Sequence, residues 1–221
     1  MCNVIIMMLA NITVYFLLFG VCNCFTFLAN IKNIFSIYKS PDISIEIYNG
    51  INTRGISSFI TNERYYGLPN SLYNEMIGMM ERDFSYRRKN CFSKLPFTIL
   101  LAIKNDDVVG VITVECCDID INEKKENHPV ISNLIVSRKM RRKGIAKLLT
   151  TRAEKIAKSS GYKEIYLFVN IENIPAIRLY KSCRYKSIGD EKKATRIVFE
   201  KNRLLDEQCV NTVSYTHLRA H

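Results

Sequence analysis

The 221-residue sequence contains no C-x-x-C pair, no G-x-x-x-x-G-K-[ST] loop, no paired-glycine dinucleotide fingerprint, and no charged side chain before Lys32. The first absence argues against a zinc ribbon or a thiol redox motif. The second and third argue against a P-loop nucleotidase and a Rossmann dinucleotide site. Histidine is scarce at three. His128 falls in a polar stretch and His217 in the tail, and neither has neighbours that would complete a metal or nucleophile constellation, so no metal is expected. Of the eight cysteines, Cys2, Cys22 and Cys24 lie in the leader, whereas Cys91, Cys116, Cys117, Cys183 and Cys209 are scattered and read as small core or surface residues. There is no internal repeat. With 48% hydrophobic and 24% charged residues, the composition is that of one globular domain. A domain of roughly 150 residues buries about two thirds of its unfolded surface, enough to fold without disulfides or a structural metal.

The uncharged start is itself a signal. Val4 to Val21 is almost wholly apolar, with Phe, Leu, Ile, Val and Met on every face, unlike the single stripe of a core helix. Residues 1–29 therefore read as a signal peptide or a signal anchor; the length of the run suits either. The following residues 30–41, with Lys32, Lys39 and several Asn and Ser residues but no acid, read as a linker or an organelle transit segment. Two locations follow: targeting to the secretory pathway or membrane anchorage through this segment, with a plastid-type organelle reached by the secretory route. Membrane contact is expected only there.

Charge elsewhere is one-sided. The formal net charge is +11, and between Arg138 and Lys158 only Glu154 offsets nine basic residues. Such a patch suits a polyanion, whether nucleic acid, an anionic membrane or a phosphate-rich cofactor. The basic residues cluster at one helix start. Interleaved strand aromatics or an exposed recognition helix would be the marks of nucleic-acid binding, so nucleic acid is not the expected partner.

Periodicity gives the order β-α-α-β-β-β-α-β-α-β-β over residues 42–202. Ile43, Ile45 and Ile47 alternate as a strand. Ile56 to Ile60 and Leu72 to Met80 recur at helical spacing. Phe97–Ile103 and Val108–Cys116 flank Asn105-Asp106-Asp107 as a hairpin, and Asp118–His128 reads as a polar loop. Val130–Val136 is a strand, Ile145–Ser160 a helix capped by Gly161, Ile165–Val169 a strand, and Ile174–Ser182 a helix with Pro175 in its first turn. Tyr185–Ile188 and Ala194–Glu200 read as a closing hairpin. Residues 203–221 lack periodicity and read as an unstructured tail whose last residues, Ser214 to His221, look like translated cloning sequence.

The strand ending at Val136 runs through Arg141-Arg142-Lys143 to Gly144 and straight into a helix, where free backbone N–H groups and the macrodipole favour an anion such as a pyrophosphate. Arg141, Gly144 and Ala146 match the pattern [QR]-x-x-G-x-[GA] of motif A in the GNAT superfamily of N-acetyltransferases, which this segment resembles. Asn173-Ile174-Pro175-Ala176-Ile177-Arg178-Leu179-Tyr180 resembles the family's motif B, N-x-x-A-x-x-[LF]-Y. The resemblance implies an α/β (α+β) GNAT fold, a mixed central sheet of about seven strands flanked by about four helices. It implies acetyl-coenzyme A as acetyl donor, with the main chain of Leu134, Ile135 and Val136 on the pantetheine arm. Arg141, Arg142, Lys143, Gly144, Ile145 and Ala146 would take the pyrophosphate, and Asn173 and Tyr180 would complete the cofactor site.

The implied chemistry is transfer of the acetyl group to a primary amine, a protein N-terminus or a lysine, with Tyr180 protonating the leaving thiolate. The N–H of Val136 would polarise the carbonyl as an oxyanion hole does. Glu115, late in an apolar strand where burial would raise its pKa, is the candidate base. Two positions depart from the family: Arg184-Tyr185 stands where it has Gly-Phe, and Phe168 where protein-alanine N-acetyltransferases carry a glutamate. Leu167 to Asn170 and the run R-R-K-G-I-A-K-L-L look closer to plastid-type enzymes acting on protein amines. A noncatalytic acyl-CoA sensor would use the same binding residues.

Overall fold

The computed structural model describes residues 43–91, 93–121, 124–200 and 203–217. The leader 1–29 and the linker 30–41 lie outside them. Among the described residues no helix is long and apolar enough to cross a membrane.

The elements are β1 (Ser44–Ile47), α1 (Arg54–Arg64), α2 (Asn70–Asn90), β2 (Thr98–Lys104), β3 (Asp107–Ile121), β4 (Lys124–Val136), α3 (Ile145–Ser159), β5 (Glu164–Asn170), α4 (Ile174–Ser182), β6 (Lys186–Glu200) and β7 (Arg203–His217), with a 3-10 turn at Arg138–Met140. The seven strands form one mixed sheet in the order β1-β2-β3-β4-β5-β7-β6. Only β4 and β5 run parallel. Among the described residues, a seven-stranded mixed sheet with four α-helices is the architecture that the family resemblance implies.

Strand alternation divides the core. Leu100, Ala102, Ile112, Val114 and Ile131 meet the face of α3 formed by Ile145, Leu149, Ala153 and Ala157. Ile99, Leu101 and Val111 point the other way, to Ile56 and Ile60 of α1 and Phe84 of α2. Successive strand side chains lie on opposite faces, so an unbroken apolar run such as Thr98–Lys104 supplies both cores at once. The β2–β3 turn has two residues, Asn105 and Asp106, both at positive φ, the geometry of a type I′ hairpin and the residue types that tolerate it.

Two loop-like readings of the sequence are corrected. Asp118–His128 is not a loop: β3 and β4 continue through it as a hairpin, pairing Asp118 with Asn127 and Ile121 with Lys124. The Lys125–Asp118 ion pair and the Asn127-to-Asp118 hydrogen bond support its polar rungs. Backbone pairing needs no apolar pattern, so periodicity misses a strand that stands mostly in water. Likewise Tyr185–Ile188 and Ala194–Glu200 do not form their own hairpin. From Lys186 onward they belong to one long strand, β6, whose partner is β7, and residues 203–217 of the supposed unstructured tail are that partner. Their place has a physical reason: β5 pairs with β4 at two positions only, and β7 covers the other edge of β5 from Glu164 to Asn170, giving its N–H and C=O groups partners.

Helices α3 and α4 end in the same six-residue motif with different residues at its strained position. After α3, Tyr162 N donates to Ala157 O and Gly161 N to Lys158 O, with Gly161 at φ +89°. After α4, Tyr185 N donates to Tyr180 O and Arg184 N to Lys181 O, with Arg184 at φ +69°. Both are Schellman closures, which place one residue in the left-handed region. The turn thus keeps its geometry despite the missing glycine, and Arg184 bears the Cβ strain. Arg184→Gly should relieve that strain, less the greater unfolded-state entropy of glycine. The net gain should be on the order of 1 kcal/mol, raising the urea midpoint at unchanged slope; an unchanged or lower midpoint would contradict the strain.

Candidate functional site

The site grows from a mismatch in β4. Between the pairs Thr113–Ser132 and Val111–Ile135, β4 holds one residue more than β3, and Asn133 lies there at φ +50°. This is a β-bulge, with asparagine supplying the left-handed residue. On the opposite edge, the parallel pairing of β4 with β5 covers only Val130–Tyr166 and Ile131–Leu167. Beyond the bulge, β4 stays with β3 and leaves β5, so the two parallel strands splay.

Main-chain direction at the splay can be read from the hydrogen bonds. Ser137 N donates to Val109 O at 2.9 Å, which makes Gly110–Val136 a non-hydrogen-bonded pair whose members turn their N–H and C=O away from each other. Val136 therefore presents its N–H and C=O to the splay. Its carbonyl receives Arg141 Nε at 3.1 Å. The main chain of Ile135 alternates towards β3, and its side chain packs with the α1/α2 core. Leu134 packs against the α3 core. Of these three expected cofactor contacts, Val136 has its main-chain groups clearly directed to the opening.

The following loop is shaped for an anion. Arg142 at φ +63° and Gly144 at φ +81° turn the chain into α3. The first helical bond is Leu148 N to Gly144 O, so the N–H groups of Ile145, Ala146 and Lys147 have no acceptor one turn earlier, and no side chain caps them. A Cβ at Gly144 would meet nothing within 4 Å. The glycine is needed for its backbone conformation, and the space above it is open to a ligand. Ile145 is buried in the core, so only its N–H faces outward in this role. Arg142 and Lys143 are exposed.

Arg141 does more than the sequence suggests. Besides Val136 O, it lies 3.9 Å from Glu63 Oε2. Glu63, near the end of α1, accepts the N–H of Arg138 at 2.8 Å, and its main-chain oxygen accepts Arg138 Nη2 at 3.2 Å. The Arg138 guanidinium also stacks over Tyr66. One carboxylate thus ties the basic loop to α1 across 75 residues of sequence, a link with no signature in the sequence.

On α4, Asn173 caps the helix by accepting Ala176 N at 3.2 Å. Its carbonyl oxygen is committed there. Tyr180 packs at the edge of the α3 core, its ring 5.5 Å from that of Tyr185. Burial first, and the nearby Cys183 thiol second, push its phenol above the ordinary tyrosine value. Tyr180 is therefore a protonated donor across the physiological range.

Glu115 sits on the α1/α2 face of β3, opposite Val130, which is still paired with β5. Burial raises its carboxyl pKa, and Arg87 opposes this through charge and a 2.7 Å bond to Oε1. Arg87, from α2, also bonds Asp83 and Ser132. Arg87 and Asn133 were not singled out in the sequence. The clue for Asn133 is that it is a residue tolerant of the left-handed conformation inside the otherwise strand-like run Val130–Val136. A separate cavity of about 540 Å³, lined by Cys91, Cys116, Gly161 and Tyr162 among others, contains none of the expected site residues. Among the described residues no cluster of three or more His, Cys, Asp or Glu side chains could hold a metal.

Comparison with known proteins agrees with this architecture. A curated relative, the chloroplastic GCN5-related N-acetyltransferase 4 of Arabidopsis thaliana, is 31% identical over 105 residues, covering 45% of this chain and 36% of that protein. The matched stretch thus spans little more than a third of the relative's length. PH1933 from Pyrococcus horikoshii OT3 superposes with TM-score 0.56 at 17% identity, over 80% of this chain and 98% of that one. A GNAT family acetyltransferase from Elizabethkingia anophelis with acetyl-CoA bound superposes with TM-score 0.52 at 14% identity, over 81% and 99%. At such identities the two structures share the fold. The family model for the GNAT acetyltransferases matches residues 63–185, from the Glu63 anchor through both motifs to the turn after α4, and the chain belongs to that family.

Proposed function

We propose that this chain transfers the acetyl group of acetyl-coenzyme A to a primary amine of a protein or peptide, at an N-terminus or a lysine. Three features support this reading, of which the splay of β4 from β5 carries it. The splay of β4 from β5 exposes main-chain groups of Val136, the uncapped start of α3 offers N–H groups beside Arg141, Arg142 and Lys143, and Tyr180 stands on α4 as a protonated phenol.

In this reading the extended pantetheine arm lies in the splay as a strand-like partner, hydrogen-bonding to backbone that has lost its β5 neighbour. The pyrophosphate takes the N–H groups of Ile145 and Ala146 and the cationic side chains of Arg142 and Lys143. Arg141 holds the loop to Val136 O and adds charge. Bound there, acetyl-coenzyme A would supply the activated acyl group. The N–H of Val136 is directed to polarise the thioester carbonyl, and Tyr180 donates a proton to the departing sulfur. Glu115 serves as base through water, using Oε2, which carries no hydrogen bond from a described residue.

Three outcomes are expected. Replacing both Arg141 and Arg142 by alanine removes one charge-assisted phosphate contact of about 1.5–3 kcal/mol together with the Arg141 tie to Val136 O, so acetyl-coenzyme A affinity should fall at least tenfold and lose part of its salt dependence. Calorimetry giving unchanged affinity would remove the loop from the site. Tyr180→Phe keeps the ring and removes the proton, so single-turnover transfer should slow by about 100-fold or more, with cofactor affinity little altered. Because burial raises the Glu115 pKa, wild-type turnover should fall, as pH drops, through an inflection above the ordinary glutamate value of 4.5. Glu115→Gln should abolish that inflection, and its persistence would assign the base elsewhere.

A further inference from the structure

The bulge that opens the splay is buttressed from α2 through a chain of polar side chains. Asn133 Nδ2 donates to Thr113 Oγ1 at 3.3 Å, Thr113 Oγ1 and Ser132 Oγ share a hydrogen bond of 2.7 Å, and Arg87 Nη1 donates to Ser132 Oγ at 3.2 Å. Arg87 is anchored in turn by Glu115 at 2.7 Å and by Asp83, one helical turn earlier, at 2.9 Å, and its guanidinium lies against the Phe97 ring. Thr113 is fully buried. Its hydroxyl is held by Asn133 at the bulge and by Ser132, the residue before it.

We infer that Arg87 is a positioning residue for the cofactor arm: through Ser132 and Thr113 it fixes the left-handed conformation of Asn133, and with it the direction of the Val136 main chain at the splay. Without these bonds, the strand could relieve the bulge by returning the extra residue to extended geometry. Because the side-chain period of a strand is two, a one-residue change of register would turn the main-chain groups beyond it to the opposite edge. Val136 would then face β3, and the gap would lose its donor. Asparagine tolerates the left-handed region but does not require it, so the conformation must be selected by its surroundings. The ion pair acts from behind: Arg87 sits on the α1/α2 face and reaches the cofactor path only through the hydroxyls. The pyrophosphate loop has an anchor that does not pass through the bulge, Glu63, which accepts the N–H of Arg138.

This inference rests on the acetyl-coenzyme A reading, and the experiment separates the two. Binding to full-length protein is measured for acetyl-coenzyme A and for 3′-phospho-ADP, which keeps the phosphates and lacks the pantetheine arm. Arg87→Met should weaken acetyl-coenzyme A by about tenfold or more, since small misplacements of positioning groups are costly. Affinity for 3′-phospho-ADP should stay within about twofold of wild type, because the phosphate contacts are local. Adding Asn133→Gly, which enters the left-handed region at no steric cost, should restore most of the lost affinity. A purely structural role for Arg87 would not be rescued in this way. Should Arg87→Met lose its thermal transition, Ser132→Ala cuts the same chain and is read by the same pair of affinities. Unchanged acetyl-coenzyme A binding, or equal loss of both ligands, would overturn the inference. Wild-type protein that bound neither ligand would overturn the acetyl-coenzyme A reading and this inference with it.

Discussion

One extra residue in β4 governs the functional geometry. A strand between two neighbours normally satisfies both edges along its length. Here β4 follows β3 through a bulge at Asn133 and gives up β5 after Ile131. The freed edge would be a liability in a strand with nothing to bind, since buried N–H and C=O groups without partners are costly. Opposite this edge, β5 is compensated by β7 along its other side. The splay is thus affordable on one strand because the sheet is completed elsewhere, and it leaves Val136 facing an opening at the mouth of the basic loop.

Electrostatics then complete what the backbone begins. Cations are concentrated after β4, and the carboxylates nearest to them have specific tasks. Glu63 fastens Arg138 and approaches Arg141, while Asp83 and Glu115 hold Arg87 behind the bulge. Each acid fixes the direction of a guanidinium while leaving the loop strongly positive. The exposed Arg142 and Lys143 retain their charge for a ligand. Burial acts in the opposite sense on Tyr180, disfavouring its anion and keeping the phenol protonated.

Much of this was legible in the residues, for reasons that differ by position. Ile145, Leu149, Ala153 and Ala157 recur at helical spacing, and burial confirms that face. Gly144 was legible because glycine at a strand-to-helix turn has few other reasons to be there, and it lies at φ +81°. The order and type of the central elements followed from periodicity. What was missed lies where pairing, not burial, makes the structure: the polar β3–β4 extension, and β7 in residues set aside as a tail. The long-range ties of Glu63 and Arg87 were also missed, since an ion pair between distant elements leaves no period in the sequence. Arg184 was legible as a departure from the family's glycine, and its positive φ shows that the turn kept its shape.

On the function proposed above, the splay and the basic loop present an acetyl donor to a peptide amine. That function is tested most directly by incubating the full-length chain with acetyl-coenzyme A and peptides bearing free N-termini and lysines, following thiol release and mapping the products by mass spectrometry. The account predicts acetylated amines in proportion to the thiol released. Thiol release without an acetylated amine, or tight cofactor binding with no transfer to any amine, would contradict it.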